Sequence, residues 1–367
     1  MKLFDYFQSH PPEITHYTPR KLQLPDENHI NLHGVRGAGK SMLVVDYLEE
    51  MDHETLLYID GDDPNLLFGS IDRDELQSYI WESSIELLVL DHYEPSILEE
   101  IPHAERIIIL SRTPLSLAGF AEVELFPLDY EEFLAFERST SAANSFNHFL
   151  KLGTLPVTSR STQTATIELK TFLQSRFERQ EQQLLALLAI YQTKHLTTHQ
   201  IYRAAKERFK VSKDWLYRKI KDFQQEGILY FIEDIHQKGG KKLIIFDFAL
   251  GKYLTMGQPF ITQFDSIIAL ALIKHHRAFK TLGIHGYLTL YGELITPAPF
   301  ESEESIWKKS HNKFSLYKKH GVEKVTIITV ANQYSYEIEK IRFEALPFYE
   351  WSILNEDEDD FQDNIDL

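Results

Sequence analysis

Ile30-Asn31-Leu32-His33, then Gly34-Val35-Arg36-Gly37-Ala38-Gly39-Lys40-Ser41, then Met42-Leu43-Val44-Val45-Asp46-Tyr47-Leu48 is the stretch that decides how this chain reads. A short apolar run runs straight into a glycine-rich segment of the form G-x-x-x-x-G-K-S, and Met42, Val45 and Leu48 then recur at helical spacing. Strand, glycine loop and helix in that order is the context in which such a loop cradles phosphates. Glycines let consecutive backbone N–H groups turn inward, and the N-terminus of the following helix adds the positive end of its dipole. Residues Gly34 to Met42 are therefore expected to bind a nucleoside triphosphate, ATP with Mg²⁺. Lys40 would reach the β and γ phosphates, and Ser41 would offer its hydroxyl to the metal.

Working outward, Leu56 to Asp60, Leu87 to Leu90 and Ile107 to Leu110 are short apolar runs bounded by polar residues, the pattern of strands buried on both faces. Their alternation with helical segments predicts an α/β layer fold with a parallel sheet over residues 1–157. Asp91 ends the second of these runs and is the expected second carboxylate toward Mg²⁺. His92 follows it, where many ATPases place a glutamate that polarises water, so His92 and Glu94 are the candidates for that role. Ser111, at the tip of the next run, is placed to touch the γ phosphate or the attacking water. Arg36 and Arg112 are candidates for a phosphate contact or an arginine finger.

A polar stretch from Thr158 to Thr166 reads as a linker. Beyond it, helical spacing through Leu184, Leu187, Leu188, Ile201 and Ile220 gives at least three helices. Strand-like runs at Ile228 to Ile232 and Leu243 to Phe248 then flank Lys238-Gly239-Gly240-Lys241, a hairpin signal. Helices followed by such a hairpin predict a winged helix-turn-helix over residues 167–255. Ser212 would cap a helix carrying Lys213, Trp215, Tyr217, Arg218, Lys219 and Lys221, and the wing adds Lys238, Lys241 and Lys242. These lysines and arginines suit the phosphates of double-stranded DNA. Alternatively the module packs against a protein partner, with Trp215 and Tyr217 in its core. Residues 256–354 read as a second, smaller α/β unit, with a helix at Ile267 to Lys274 and strands at Tyr287 to Tyr291, Val325 to Val330 and near Ile341.

The whole chain of 367 residues carries a formal charge of −17, with 43% hydrophobic and 25% charged residues, which fits a multidomain globular protein and excludes a uniformly basic nucleic-acid coat. The absence of cysteine excludes disulfides, thiolate zinc sites and cysteine nucleophiles. No signal-like leader and no membrane-length apolar run is visible, so the expectation is a cytoplasmic protein without a membrane partner. Acidic residues gather in the tail, residues 355–367, which reads either as a solubilising disordered end or as a nucleic-acid mimic competing for the basic middle.

Several segments together resemble the AAA+-like P-loop ATPases of bacteria and archaea in which the core precedes a winged helix and a degenerate nuclease-like C-terminal domain. They are Ile30 to His33 with its loop, Tyr58-Ile59-Asp60-Gly61-Asp62-Asp63-Pro64, Pro127-Leu128-Asp129-Tyr130-Glu131-Glu132-Phe133-Leu134, and Phe149 to Pro156. Phe246-Asp247-Phe248-Ala249-Leu250 is similar to the strand that leaves the family's winged helix. The resemblance implies an AAA+-like core, ATP and Mg²⁺ as ligands, and a restriction-endonuclease-like last domain. The chain departs from the pattern at His92, where the family has an acidic residue, and at Gly119-Phe120, where an arginine is common; both departures point to slow hydrolysis. In the last domain Glu293 and Glu301 lack the Glu-x-Lys arrangement of nuclease relatives. The expectation is an ATP-dependent switch acting on DNA or a protein, with a non-hydrolysing ATP-bound scaffold as the alternative; oligomeric state stays open.

Overall fold

The structure is a computed structural model, and it describes residues 3–14, 16–49, 51–67, 69–137, 141–159, 164–236 and 239–353. Lys238 and the tail of residues 355–367 lie outside the described residues. The chain divides into two compact units, one of residues 1–127 together with 225–227, the other of residues 128–224 and 228–367.

The first unit is built on β1 (His29–His33), β2 (Leu56–Asp60), β3 (Leu87–Asp91), β4 (Arg106–Ser111) and β5 (Ala121–Glu124), with helices α1 (Leu3–Ser9), α2 (Lys40–Leu48) and α3 (Arg73–Glu82). The strands form one sheet in the order β2-β3-β4-β1-β5, and every pairing is parallel. The apolar runs explain the arrangement. All five residues of β3 and the last five of β4 are buried, as parallel strands covered on both faces require. Leu43, Val44, Val45 and Leu48 of α2 are buried too. On the other flank Phe4, Phe7, Leu76 and Ile80 join Leu57, Leu88 and Ile107 in one core. Because the pairing is parallel, all the strands end on the same side, and the register sets His33 beside Ser111 and Asp60 beside Asp91. That edge is where open parallel sheets bind ligands.

The second unit begins with α4 (Tyr130–Glu137), α5 (Ala142–Leu152), α6 (Ala165–Arg176) and α7 (Arg179–Ile190). Next come β6 (His195–Leu196), α8 (Thr198–Lys206), α9 (Lys213–Gln225), β7 (Leu229–Ile232), β8 (Lys241–Ile245), α10 (Phe248–Leu254) and α11 (Phe260–Lys274). The last stretch holds β9 (Phe279–Thr281), β10 (Tyr287–Thr289), β11 (Glu293–Pro297), α12 (Glu303–Lys319), β12 (Lys324–Thr329), β13 (Tyr334–Ile338) and β14 (Ile341–Pro347). A small antiparallel sheet, β6-β8-β7, takes β6 from before α8 and the hairpin β7–β8 from after α9, and a six-stranded mixed sheet runs β13-β14-β12-β11-β10-β9. An aromatic core of Tyr130, Phe133, Phe146, Phe149, Phe248, Phe264 and Phe348 ties α4 and α5 to α10, α11 and the segment after β14.

The sequence led us to expect a strand through Phe246-Asp247-Phe248-Ala249-Leu250. The structure corrects this: the strand stops at Ile245 and Asp247 starts a helix. Asp247 is fully buried, and its carboxylate accepts from the N–H groups of Ala249 and Leu250 at 2.8 and 3.1 Å and from the N–H and Oγ1 of Thr154 at 2.6 and 2.8 Å. Burial pushes the Asp247 carboxyl above its usual range, and the bonds from Thr154, Leu250 and Ala249 oppose that shift. Gly153 fits because it has no side chain: its φ is +80°, and a Cβ there would lie 2.4 Å from the Asp247 carboxylate. Asp247→Ala would strip four bonds from buried N–H and hydroxyl groups and is expected to cost about 2–4 kcal/mol of unfolding free energy. Gly153→Ala should fall in the same class; urea denaturation of the second unit's aromatic signal checks both.

Candidate functional site

The glycine loop turns at the end of β1 under tight constraint. Gly34 has φ +145°, and a Cβ on it would sit 2.3 Å from the carbonyl oxygen of Leu125, so no larger residue fits. Leu125 N–H in turn donates to His33 O at 2.8 Å, which fastens the end of β1 to the chain leaving β5. The loop closes on itself through Ala38 N–H to Val35 O at 3.2 Å, and Gly39, at φ +101°, starts α2 in a conformation that favours glycine. Lys40 Nζ folds back over the loop, donating to Gly34 O at 2.7 Å and Val35 O at 3.2 Å. Ser41 stands in the first turn of α2 and Met42 is exposed beside it.

Arg20 was not legible as part of this site. Its guanidinium is buried and donates to Ala38 O at 2.6 Å and Phe126 O at 2.8 Å, so it braces the glycine loop from behind. Arg36, a candidate phosphate contact, is instead buried within the first unit against Glu226: Nε to Oε2 is 2.8 Å and Nη2 to Oε1 is 3.1 Å. This two-pronged pairing is the strong form of the guanidinium–carboxylate bond. Arg112 faces Glu94 at 3.3 Å in a half-open setting.

Asp91 is buried, 4% exposed, at the end of β3. Tyr58 Oη donates to its Oδ2 at 2.7 Å and the N–H of His92 to its Oδ1 at 2.7 Å. Burial first, and then the Asp91 carboxylate, push the Tyr58 phenol far up, so it stays protonated and remains a donor. His92 takes a left-handed backbone, φ +50°. Its Nδ1 lies 2.8 Å from Asp60 Oδ1 and 3.5 Å from Asp91 Oδ1, and its Nε2 lies 3.6 Å from Asp62 Oδ2. Burial opposes charge on the ring, but the hydrogen bond to Asp60 and the charges of Asp91, Asp62 and Asp60 outweigh it and raise its pKa. Asp60 and Asp62 were read only as part of a resemblance; the acidic run at the end of a buried strand was the signal that they belong here.

Ser111 is buried at the end of β4. It accepts from Asn31 Nδ2 at 2.8 Å and donates its proton to Thr113 O at 2.7 Å. Asn31, an interior polar residue of β1, also accepts from Leu115 N–H at 3.0 Å, so it holds the chain after β4 in place. His33 is pulled below its usual value by burial; Glu122 opposes the shift and Lys40 adds to it.

In the second unit, Ser212 Oγ accepts from Trp215 N–H at 3.2 Å at the start of α9, and Thr197 and Gln200 form a capping box on α8. Lys213, Arg218 and Lys221 are exposed, and so are Arg203, Lys206, Arg208 and Lys210, which composition had hidden inside an acidic chain. Leu216, Ile220 and Phe223 form the buried face of α9, whereas Tyr217 is exposed with Lys213 over its ring. Two expected DNA contacts are corrected. Lys242 is buried, its Nζ 2.6 Å from Asp265 and 4.5 Å from the centre of the Tyr287 ring. Lys219 is held by Glu181 at 2.9 Å and Asp222 at 3.5 Å. Lys241 is exposed, beside Glu233 at 3.1 Å. In the six-stranded sheet Glu293 of β11 faces Lys324 of β12 at 3.5 Å, and Glu301, just before α12, faces Lys309 of that helix at 2.5 Å. Both lysines come from other elements than the glutamates they meet.

This chain is thus an α/β protein with a parallel five-stranded core and a glycine loop at its carboxyl edge. No helix among the described residues is long and apolar enough to cross a membrane. No family model matches the chain, and no curated protein matches it. Among solved structures, that of Drosophila ORC bound to AT-rich DNA and Cdc6 is similar at 18% identity over 59% of this chain and 81% of that chain, with a TM-score of 0.18. A TM-score that low gives the likeness no functional weight.

Arg36→Ala would leave the Glu226 carboxylate buried without its cation and is expected to cost about 3–5 kcal/mol, more than replacing both partners by apolar residues. A double-mutant cycle with Glu226→Leu, read by thermal unfolding, checks the pairing.

Proposed function

We propose that this protein is an ATP-binding switch with an AAA+-like P-loop core, whose nucleotide state sets the affinity of a winged helix for double-stranded DNA. The observation that carries the reading is the loop itself: a buried strand ends at His33, the backbone turns at Gly34 where no side chain fits, and Lys40 returns over the turn at the opening of α2. Its ammonium rests on two loop carbonyls, a position from which it would exchange to the β and γ phosphates. The residues present also suit Mg²⁺ on the nucleotide. Ser41 and the buried carboxylate of Asp91 would hold it through oxygen or water, and the ion would neutralise charge between the phosphates.

Turnover is slow in this reading. A residue that polarises water needs a free acceptor, and both ring nitrogens of His92 face carboxylates, Nδ1 toward Asp60 at 2.8 Å and Nε2 toward Asp62 at 3.6 Å. Ser111 likewise gives its proton to Thr113 O. Bound ATP then acts chiefly by its presence, which keeps the non-hydrolysing scaffold as the competing form of the same proposal.

DNA is preferred over a protein partner because of what residues 203–221 expose: seven cations, Arg203, Lys206, Arg208, Lys210, Lys213, Arg218 and Lys221, against the carboxylates of Glu207 and Asp214. β6, α8 and α9 with the hairpin of β7 and β8 closing the β6-β8-β7 sheet support a winged helix-turn-helix, and residues 256–353 a degenerate nuclease-like domain. Compartment follows as a cytoplasmic assignment within the same proposal.

Lys40→Ala should weaken ATP binding at least about tenfold, since a charge-assisted bond to phosphate is lost. Equilibrium titration with a fluorescent ATP analogue reads it, and unchanged affinity would remove the P-loop reading. Replacing Arg218 and Lys221 by alanine should weaken duplex DNA binding regardless of sequence and lower the slope of log K against log salt by about 2. Fluorescence anisotropy across a salt series decides, and an unaltered slope would hand the module to a protein partner.

A further inference from the structure

Residues 225–227 are part of the first unit, although the rest of α9 before them and β7 after them belong to the second. Within the first unit Glu226 is held by Arg36 of the glycine loop: Nε to Oε2 is 2.8 Å, Nη2 to Oε1 is 3.1 Å, and both side chains are buried. We propose that this pair is a latch that couples the nucleotide site to the end of α9, and that a triphosphate in the loop releases it. The inference rests on the P-loop reading above and supplies the regulation of that same site.

Glu226 is firmly joined to the helix it follows. α9 ends in a Schellman turn: Gly227 takes φ +69°, and the N–H of Ile228 reaches back to Phe223 O at 2.8 Å. Phe223 and Ile228 are both fully buried, the apolar pair that this kind of cap brings together. Glu226 stands at the cap position, directly after Gln225, the last residue of α9. A force on its carboxylate therefore acts on the helix that exposes Lys213, Arg218 and Lys221.

Arg36 is joined as closely to the loop. The carbonyl of Val35, in the peptide that carries Arg36, accepts from Ala38 N–H at 3.2 Å and from Lys40 Nζ at 3.2 Å. Lys40 is the side chain that phosphates recruit in such a loop. Drawing it away takes one donor from Val35 O, so the arrival of nucleotide acts on the backbone of Arg36. The phosphates also compete with Glu226 for the guanidinium, whose planar fork matches phosphate as well as carboxylate.

The charge of the pair is what makes it releasable. Apolar residues of similar volume would hold a buried contact as well or better. An ion pair can be opened by an incoming anion, because a second negative group beside Arg36 weakens the hold of the first. Without nucleotide the end of α9 is latched to the loop; with nucleotide Glu226 is let go and residues 226–228 loosen.

The test uses the full chain and a fluorescent ATP analogue. Glu226→Gln keeps the side chain's size and removes the competing charge, so it should bind the analogue about fivefold or more tightly than the unaltered protein. A merely structural pair predicts equal or weaker binding, and either result overturns the proposal. If the unaltered protein does not bind the analogue at all, the P-loop reading itself has failed, which is a different result from binding that Glu226→Gln leaves unchanged. Hydrogen exchange gives a second readout that needs no variant. Saturating ATP should speed exchange of the amides of residues 226–228, including the Ile228 N–H that closes the turn, and exchange that ATP leaves unaltered or slows overturns the latch. Should Glu226→Gln not fold by circular dichroism, the exchange measurement on the unaltered protein decides alone.

Discussion

No side chain fits at residue 34, and the rest of the candidate site depends on that. A Cβ there would meet the carbonyl of Leu125 at 2.3 Å, while Leu125 N–H holds His33 O at 2.8 Å. The end of β1 and the chain after β5 are thereby sewn together, leaving the backbone one way out of the sheet: up, around and into α2. The path of the glycine loop follows from this exit. Lys40 lands over the turn because α2 begins at the right height, and Arg20 can brace Ala38 from behind because the turn is too tight to fill the space itself.

Buried charge is arranged differently in the two units. In the second, each buried carboxylate is answered by fixed donors: Asp247 by Thr154, Ala249 and Leu250, and the Asp129–Glu132 pair by Lys274 at 2.6 and 2.9 Å. Such groups are expensive to desolvate, and the bonds that offset the cost also fix which helices can meet. At the edge of the first unit the carboxylates instead converge. Asp60, Asp62 and Asp91 surround a single imidazole, and their charge favours its protonated form.

The glycine loop and the buried strands were legible because each is local. A phosphate loop is written in eight consecutive residues, and a strand covered on both faces is a continuous apolar run. What escaped depends on partners far along the chain. Phe246-Asp247-Phe248 alternates like a strand, but Asp247 caps α10 through one carboxylate oxygen, and Thr154, 93 residues away, holds the other. Lys241 and Lys242 look alike in sequence, yet the two-residue period of β8 turns one outward and sends the other to Asp265 on α11. Arg36 sat inside the motif and read as a phosphate contact, but the residue that claims it, Glu226, is 190 positions on. Asp60 and Asp62 were visible as an acidic run; their meeting with His92 required the register of β2 against β3 and a left-handed residue at 92.

The overall charge of −17 and the basic stretch of residues 203–221 are compatible because screening makes charge a local property. At physiological salt the Debye length is about 8 Å, shorter than the span of α9 alone. A phosphate near Arg218 therefore feels the neighbouring lysines and arginines far more than carboxylates elsewhere. In the proposed function the surrounding acidity would aid discrimination: a duplex that strayed from α8 and α9 would meet repulsion, whereas a uniformly basic chain would be coated by it.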